Sequence, residues 1–340
     1  MPTAPYKVLI IGCGNIAGGF DVRHPGDAPP FGHAKAYLQH GGFSLVACVD
    51  PDANKRAAFQ EQWGITQGAN TLADLQPAPG WFDVISICSP TSVHAADLEA
   101  ALALKPRLIF CEKPVTPSLA QTSHWVQRCE AQQVALAVNH SRRWAPDIRR
   151  LREQITSGHW GAIRAVTGFY NKGVLNNGSH MIDLLHYLFG SLTLDAVGQP
   201  VNDFFADDPS VPATLHSAQG VPISLNVAHA SDYALFELQI VAEKGLIAME
   251  DGGANWRVRH VVDSPLFEGY KSLDTGTHIA GEVTLAMRYA VADIFSALSQ
   301  HTALASTGSS AMQAQQLCEQ IRFRALPQQA SHSHHQQVTS

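Results

Sequence analysis

The first 140 residues alternate short apolar runs with segments of helical spacing, and this alternation constrains the fold more than any other feature of the chain. The apolar runs are rich in β-branched residues: Tyr6–Ile11, Ser44–Val49, Val84–Cys88, Leu108–Phe110 and Val134–Val138. Such runs are typical of strands buried on both faces of a parallel sheet. Helical spacing falls between them, in Ala53–Trp63, Ser92–Leu104 and Ser118–Gln132. Repeated β-α-β units predict a doubly wound α/β domain.

After about Trp144 the apolar pattern changes to longer segments, several of which alternate in polarity. The strand candidates are Ile163–Tyr170, Leu192–Val197, Pro222–Ala230, Leu235–Ala242, Leu246–Glu250 and Trp256–Val262. The helix candidates are Pro146–Ser157, Ser179–Phe189, Glu282–Leu298 and Ser310–Arg324. Alternation of this kind predicts an antiparallel sheet with one face wet or packed at an interface. We expect a dinucleotide-binding domain at 1–141, an α+β domain on an open sheet at 142–326, and a disordered Gln/Ser/His-rich tail at 327–340.

Composition excludes several classes of partner. Charged residues make up only 15% of the chain and the formal net charge is −6, whereas a nucleic-acid binder normally has a basic excess. No run of eighteen apolar residues occurs, so a transmembrane helix is not expected. The apolar run near the N-terminus is too short for a signal-peptide core, which predicts a cytoplasmic protein. The six cysteines are scattered without a C-x-x-C pair, which indicates buried free thiols and no metal site.

A glycine-rich segment follows the first predicted strand and reads Gly12-Cys13-Gly14-Asn15-Ile16-Ala17. In the pattern G-x-G-x-x-A, the glycines allow a tight turn and a close approach of the backbone to a pyrophosphate. The helix that follows offers free N–H groups to the phosphates. Because the segment lies between a strand and a helix, it predicts dinucleotide binding through Gly12, Gly14, Asn15 and Ile16, with a plain tight turn as the alternative.

An acidic residue, Asp50, ends the second predicted strand, where a carboxylate accepts hydrogen bonds from ribose hydroxyls and favours NAD over NADP. It lies 38 residues after Gly12, against a common interval of about 20. The residues Phe20–Gly32 therefore look like an insertion in the loop or the first helix. The alternative role for Asp50 is a helix N-cap, and the nearby Lys55 and Arg56 leave NADP open.

The next two strands end in segments that point at the same cleft, because ligands of open α/β sheets bind at the carboxyl ends of strands. After the apolar run Val84–Cys88 come Ser89, Pro90, Thr91 and His94, and after the run Leu108–Phe110 come Glu112 and Lys113. Lys113 directly follows an apolar strand and precedes a proline, which is a poor position for a solvated surface lysine. These residues are predicted to lie at the cofactor.

Together the segments Gly12–Gly18, Cys88–His94, Glu112-Lys113-Pro114 and Leu175–Asp183 resemble the Gfo/Idh/MocA oxidoreductases. The resemblance covers roughly residues 6–325. It implies a Rossmann domain followed by a domain with a predominantly antiparallel sheet. It also implies nicotinamide-dependent chemistry on sugars, cyclitols or nucleotide sugars, in homodimers or homotetramers formed through that sheet.

The resemblance also implies roles for single residues. Lys113 matches the lysine that contacts the reacting hydroxyl, and His180 matches the histidine that accepts or donates its proton, as a histidine's titration range allows. Asp183 follows on the same helical face, where it either orients the site or packs at the domain junction. Arg143 and Trp144, with Arg142, match an interdomain segment that lines the cleft or serves as linker packing.

At one functional position the chain departs from the family, since Asn176 stands where many members carry an aspartate. An amide cannot take a proton, so His180 works with less electrostatic help, Lys113 carries more of the proton transfer, or catalysis has been lost. The leading hypothesis is an NAD(P)-dependent sugar oxidoreductase. The alternatives are an NAD-dependent glycosidase of the same family and a non-catalytic dinucleotide-binding regulator.

Overall fold

The computed structural model describes residues 4–326, and its N-terminal part is built on a six-stranded parallel sheet. The strands are β1 (Tyr6–Ile11), β2 (Phe43–Val49), β3 (Gln67–Ala69), β4 (Val84–Ile87), β5 (Leu108–Cys111) and β6 (Ala135–Val138). The helices between them are α1 (His33–His40), α2 (Ala53–Trp63), α3 (Leu72–Leu75), α4 (His94–Ala103) and α5 (Leu119–Ala131). The strand order β3-β2-β1-β4-β5-β6 reverses direction between β1 and β4. In open α/β sheets, this switch point is where a ligand binds.

Both faces of this sheet are buried, which explains the continuous apolar runs. Every residue of β4 and β5 is buried, for example Ile85 and Phe110 at 0% exposure. Side chains of alternate residues pack into separate apolar clusters on the two faces, with Val8 and Ile10 in one and Leu9 and Ile11 in the other. The predicted strands and helices of this half are confirmed, and β3 and α3 are short elements that the apolar pattern did not indicate.

The predicted insertion is an excursion inside the first helix. One turn begins at Gly14, and the chain then leaves through a 3₁₀ turn at Gly19–Arg23. It returns so that His33 N donates to Ile16 O (3.1 Å) and Ala34 N to Ala17 O (2.8 Å). Those carbonyls would bond the next helical turn if the helix were continuous. The helix α1 therefore continues the turn that starts at the glycine-rich loop.

The second half contains a nine-stranded mixed sheet. Its strands are β7 (Ile163–Tyr170), β8 (Leu192–Val197), β11 (Ala213–Ser217), β12 (Pro222–Val227), β13 (Phe236–Ala242), β14 (Gly245–Glu250), β15 (Asn255–Asp263), β16 (Lys271–Leu273) and β17 (Thr277–Ala280). Its pairs are antiparallel except for β7 with β12. A separate hairpin joins β9 (Val201–Phe205) to β10 (Asp208–Ser210). The predicted fold class, an α/β Rossmann domain plus an α+β domain with an open, predominantly antiparallel sheet, is confirmed.

Four helices complete the second half: α6 (Pro146–Thr156), α7 (Ser179–Phe189), α8 (Ala286–Gln300) and α9 (Gly308–Ala325). Helices α6, α7 and α9 share an apolar cluster with the sheet. Helix α8 instead returns to the first sheet, where Ile294 and Leu298 join the cluster of Tyr37 and Val8. The predicted boundary between 141 and 142 stays a prediction, and the predicted tail at 327–340 lies outside the described residues.

The sequence did not indicate β9, β10, β11, β16 and β17, which are short or lack an apolar run. All six cysteines are buried and unpaired. Among the described residues, no helix combines the length and apolar character that crossing a bilayer requires. Residues 4–326 also contain no group of three or more His, Cys, Asp or Glu side chains placed to hold a metal ion.

Candidate active site

The glycine-rich loop connects β1 to the first helical turn and has the shape that a dinucleotide requires. Gly12 has a φ of +87°, and a Cβ there would lie 2.6 Å from the Ser89 nitrogen, so only glycine fits. A Cβ on Gly14 would meet no atom within 4 Å, which leaves this side of the loop open. Ala17 is fully buried. Asn15 is exposed and Ile16 half-buried beside this opening.

Asp50 lies at the end of β2, next to this loop. Its Oδ2 accepts from Cys13 N (2.8 Å) and its Oδ1 from Asp52 N (2.9 Å). Each carboxylate oxygen keeps a lone pair for a further donor. The predicted alternative, a helix N-cap, falls to Asp52, whose side chain accepts from the first amides of α2. Arg56 donates to the Asp50 main-chain oxygen (2.5 Å), so a guanidinium stands beside the carboxylate.

The loops after β4 and β5 are tied together by His94. Its ring is fully buried, with Nε2 2.8 Å from Ser89 O and Nδ1 3.1 Å from Pro114 O. Ser89 itself donates to Asp97 Oδ2 (2.5 Å). Pro90 is exposed and Thr91 half-buried at the rim. The structure therefore places His94 beneath the cleft, where it holds the two loops rather than facing the dinucleotide.

Glu112 directly follows β5 and turns inward. Its Oε1 accepts from Asn139 Nδ2 (2.7 Å) and lies 2.9 Å from Nε2 of His33, which is fully buried. Burial alone would raise the pKa of Glu112, but His33, Asn139 and Lys113 lower it further than burial raises it. The carboxylate therefore stays charged within the protein.

Lys113, the next residue, reaches across to the second domain. Its Nζ donates to the main-chain oxygen of Asn176 (2.9 Å) and lies 3.4 Å from Asn176 Oδ1. Asn176 Nδ2 donates to Lys172 O (3.0 Å), which aims the amide oxygen at the lysine. Burial lowers the pKa of Lys113, Glu112 raises it and Arg142 lowers it again, with a net fall from the ordinary value. The two predicted residues are thus brought together.

The segment that carries Asn176 is one wide π-helical turn at Gly173–Gly178, directly before α7. The Asp208 carboxylate supports it by accepting from Leu175 N (3.0 Å) and Asn176 N (2.9 Å). Gly173 has a φ of +86° and packs directly against Asp208, so a side chain does not fit there. Turns of this type are frequent at functional sites.

His180 is the second residue of α7 and faces the same junction. Its ring centroid lies 5.6 Å from that of His140, edge to face. Burial lowers the pKa of His180 far below its usual value, and Lys113, Arg142 and His140 lower it further. A neutral imidazole at pH 7 is ready to accept a proton.

Arg143 and Asp183 form a buried pair beneath His180. Arg143 Nε lies 2.9 and 2.8 Å from the two carboxylate oxygens of Asp183, which is 1% exposed. Trp144 is fully buried and donates to Asp293 Oδ2 (2.9 Å). These placements argue against the predicted substrate contacts of Arg143, Asp183 and Trp144. Pairing at the domain junction accounts for the first two residues and core packing accounts for the third.

Three contributors were not singled out from the sequence: His33, His140 and Asp208. His33 closes the excursion and reaches the site only because α1 resumes there. His140 belongs to the interdomain segment, beside the arginines that were singled out. Asp208 lies on a two-stranded hairpin that the apolar pattern did not indicate.

Comparison with known proteins agrees with this geometry. A family model described as "Oxidoreductase family, NAD-binding Rossmann fold" (GFO_IDH_MocA) matches residues 6–140. The open side of Gly14, the free acceptor sites of Asp50 and the switch point between β1 and β4 fit a dinucleotide.

Two curated relatives extend the similarity beyond that domain. D-glucoside 3-dehydrogenase of Escherichia coli (strain K12) is 28% identical over 214 residues, 56% of this chain and 56% of the relative. D-apiose dehydrogenase of Paraburkholderia graminis is 25% identical over 260 residues, 71% of this chain and 65% of the relative. The aligned segments thus span about half to two thirds of these relatives.

Among solved structures, the WlbA dehydrogenase of Bordetella pertussis, in complex with NADH and UDP-GlcNAcA, superimposes with a TM-score of 0.74. The alignment covers 95% of this chain and 99% of that one at 18% identity, and so supports the fold alone. Residues 6–140 thus match the NAD-binding Rossmann domain of the Gfo/Idh/MocA oxidoreductases.

Proposed function

We propose that the protein is an NAD(P)-dependent dehydrogenase that transfers hydride between a carbinol of a sugar, cyclitol or nucleotide sugar and the nicotinamide. The observation that carries the proposal is the convergence of Lys113 and His180 at the domain junction. Lys113 reaches across from β5 to the turn that precedes α7, and α7 carries His180. The names of the two curated relatives, which are sugar dehydrogenases, support the substrate class.

The bound dinucleotide supplies the hydride acceptor. Gly12, Gly14 and Asn15 would hold its pyrophosphate, and Asp50 would hold its adenosine ribose. The Asp50 carboxylate favours NAD, because it accepts hydrogen bonds from a 2′-hydroxyl and repels a 2′-phosphate. Arg56 beside it is already bonded to a main-chain oxygen and to Asn70.

Oxidation of a carbinol requires removal of the hydroxyl proton. His180 is neutral at pH 7 because burial and cationic neighbours keep its pKa low, and a ring nitrogen is therefore available to take this proton. The charged amine of Lys113 stabilises the developing alkoxide in a partly dry cleft. Asn176 orients Lys113 through two oxygens but takes no proton itself.

The proposal is tested with the purified protein, NAD⁺ or NADP⁺, and a panel of sugars, cyclitols and nucleotide sugars. Lys113→Ala and His180→Ala should each lower kcat by about 10²–10⁴-fold, the scale of acid–base groups, while dinucleotide affinity is kept. The double variant should lose far less than the product of the single losses, because both residues serve one step. Glycoside cleavage without net NADH formation would contradict the proposal in favour of an NAD-dependent glycosidase. Dinucleotide binding without any turnover would contradict it in favour of a non-catalytic regulator.

We also infer that a second copy of the chain covers the open face of the large sheet. Strand β13 alternates buried residues with the more exposed Glu237, Gln239 and Val241, so one face of the sheet lacks a covering layer. Val241 and Val261 on that face are about two-fifths exposed. Light scattering of wild type and Val241→Lys tests this, with a shift from oligomer to monomer expected in the variant.

A further inference from the structure

Arg142 is a cation at the domain junction whose hydrogen-bonding capacity is largely unused. Its guanidinium carbon lies 3.7 Å from the centre of the Phe236 ring, and one terminal nitrogen donates to Gly252 O (2.9 Å). Its Nε is buried and has no acceptor among the described residues. A guanidinium has five N–H donors, so most of them have no partner within residues 4–326.

Four carboxylates at the junction bond groups other than Arg142, among them Asp251, which accepts from Asn255 Nδ2 (2.7 Å). Asp183 pairs with Arg143, and Glu112 accepts from Asn139 and lies against His33. Asp208 accepts hydrogen bonds from two main-chain amides and lies 3.7 Å from Arg322 Nε. In the described part of the chain, neither Arg142 nor Lys113 forms an ion pair, and Lys113 bonds only the neutral oxygens of Asn176.

Two cations without paired acids therefore lie beside His180. Burial lowers the pKa of Arg142 to about 10, so the side chain remains charged at pH 7. Its charge lowers the pKa of both Lys113 and His180. Partly buried charges in proteins are normally paired, and the partner missing here is an anion.

We propose that Arg142 binds a carboxylate or phosphate group of the substrate, so that the protein acts on an acidic or phosphorylated sugar. The inference rests on the proposed function, whose substrate class it narrows. Stacking on Phe236 holds the guanidinium plane, and a planar fork of donors suits the two oxygens of such a group. Arg142 contacts Phe236 and Gly252 of the second domain, whereas the glycine-rich loop that suits the dinucleotide phosphates belongs to the first.

The first experiment uses the wild-type protein loaded with NADH and follows NADH fluorescence during titration. The ligands are glucose, D-glucuronate, glucose 1-phosphate and UDP-glucose. The anionic sugars should bind about 10- to 100-fold more tightly than glucose, the range of a charge-assisted hydrogen-bond pair. Tighter binding of glucuronate identifies a carboxylate, and tighter binding of the two phosphate-bearing sugars identifies a phosphate. Equal affinity for all four ligands overturns the proposal.

The second experiment repeats the titration with Arg142→Gln, Arg142→Lys and a matched control, Arg149→Gln. Arg149 is exposed on α6, and its replacement removes the same charge. Arg142→Gln should abolish the preference for anionic sugars, and Arg149→Gln should leave it unchanged. Arg142→Lys should keep part of the preference, because the lysine ammonium still offers a positive charge. The proposal is overturned if Arg142→Gln loses NADH affinity while Arg142→Lys keeps the full preference for anionic sugars. Arg142 would then serve the dinucleotide or the fold.

Turnover separates this inference from the proposed function. If neutral and anionic sugars are oxidised with equal kcat/KM, the proposed dehydrogenase function is supported and the proposed anion site is overturned. If anionic sugars bind in a manner that depends on Arg142 but no hydride is transferred, the anion site is supported and the dehydrogenase function is overturned.

Discussion

Glu112 and Lys113 are adjacent in sequence, yet they serve opposite sides of the junction. Successive side chains at a strand end point in opposite directions, so Glu112 turns into the first domain and Lys113 toward the second. The first side chain keeps its charge through buried hydrogen bonds, and the second holds the turn before α7. A single strand end therefore couples the core of the Rossmann domain to the proposed catalytic groups.

The position of Asn176 leads to a prediction about pH dependence. In Asn176→Asp, a carboxylate would replace the amide oxygen beside Lys113 Nζ and would raise the pKa of both Lys113 and His180. Because His180 must be neutral to accept a proton, the acidic limb of the kcat/KM profile should move to higher pH. The same profile in Asn202→Asp, an exposed site on β9, is the control and should not move. An unmoved limb together with an unchanged KM in Asn176→Asp would show that Asn176 lies outside the site.

Asn139 leads to a prediction about stability. The pKa of Glu112 is depressed in the folded protein, so its charge stabilises the fold above the unfolded pKa, and this stabilisation is lost as pH falls through the folded pKa. Asn139→Ala removes one donor, raises that pKa and should cost about 1–3 kcal/mol at neutral pH. The cost should shrink in acid, where Glu112 is protonated in both states.

Urea unfolding at a series of pH values measures this difference. Asn202→Ala serves as the control, since its side chain is exposed and makes no hydrogen bond within the described residues. A cost that stays constant from neutral to acidic pH would show that Asn139 acts through packing alone.

At the scale of elements, the excursion at residues 19–32 depends on one buried carboxylate. Asp21 accepts from Phe31 N (2.7 Å) and Gly32 N (2.7 Å) and is 2% exposed. Gly32 itself packs against Ile16 O and Asp21, where a Cβ would lie within 3 Å of both. The carboxylate thus sets the point at which α1 resumes, and with it the position of His33.

Asp21→Ala should leave two amides without an acceptor and destabilise the protein by about 1–3 kcal/mol. The matched control is Asp27→Ala, in the same excursion, where the carboxylate is exposed and has no described hydrogen bond. Hydrogen exchange at Phe31 and Gly32, together with urea unfolding, measures the effect. Equal exchange protection in both variants would show that the excursion is held by other contacts.

At the scale of the whole molecule, helix α8 of the second half is part of the N-terminal core. Ile294 is fully buried and packs in the cluster that contains Tyr37 and Val8. Trp144, at the chain's passage between the sheets, donates to Asp293 on the same helix. The first domain therefore depends on residues far along the chain.

Ile294→Ala should destabilise the NAD-binding domain by about 2–5 kcal/mol, the range for truncating a fully buried isoleucine. Ile279→Ala makes the same substitution at a half-exposed site on β17 and should cost much less. Thermal unfolding with and without NAD⁺ measures both variants. Equal costs at the two positions would contradict a shared core between α8 and the first sheet.

Local patterns predicted much of the fold. The bounds of β1, α2, β7, β8 and α7 follow from apolar runs, polarity alternation and helical spacing that the buried faces impose. The sites of Lys113 and His180 follow from motifs at a strand end and a helix start. Strands such as β9 and β17 were not predicted, because their residues are mostly exposed and carry no apolar signature.

The sequence by itself determined where the strands end and which side chains stand there: Gly12, Asp50, Glu112 and Lys113. This follows from local chemistry, since parallel strands must be apolar and their carboxyl ends need not be. Only the tertiary structure decided which of these groups are paired. Glu112 meets His33 across 79 positions of sequence, and Lys113 meets Asn176 across 63. Contacts over such separations depend on how the domains pack, so only the folded chain shows that Arg142 is left without an acid.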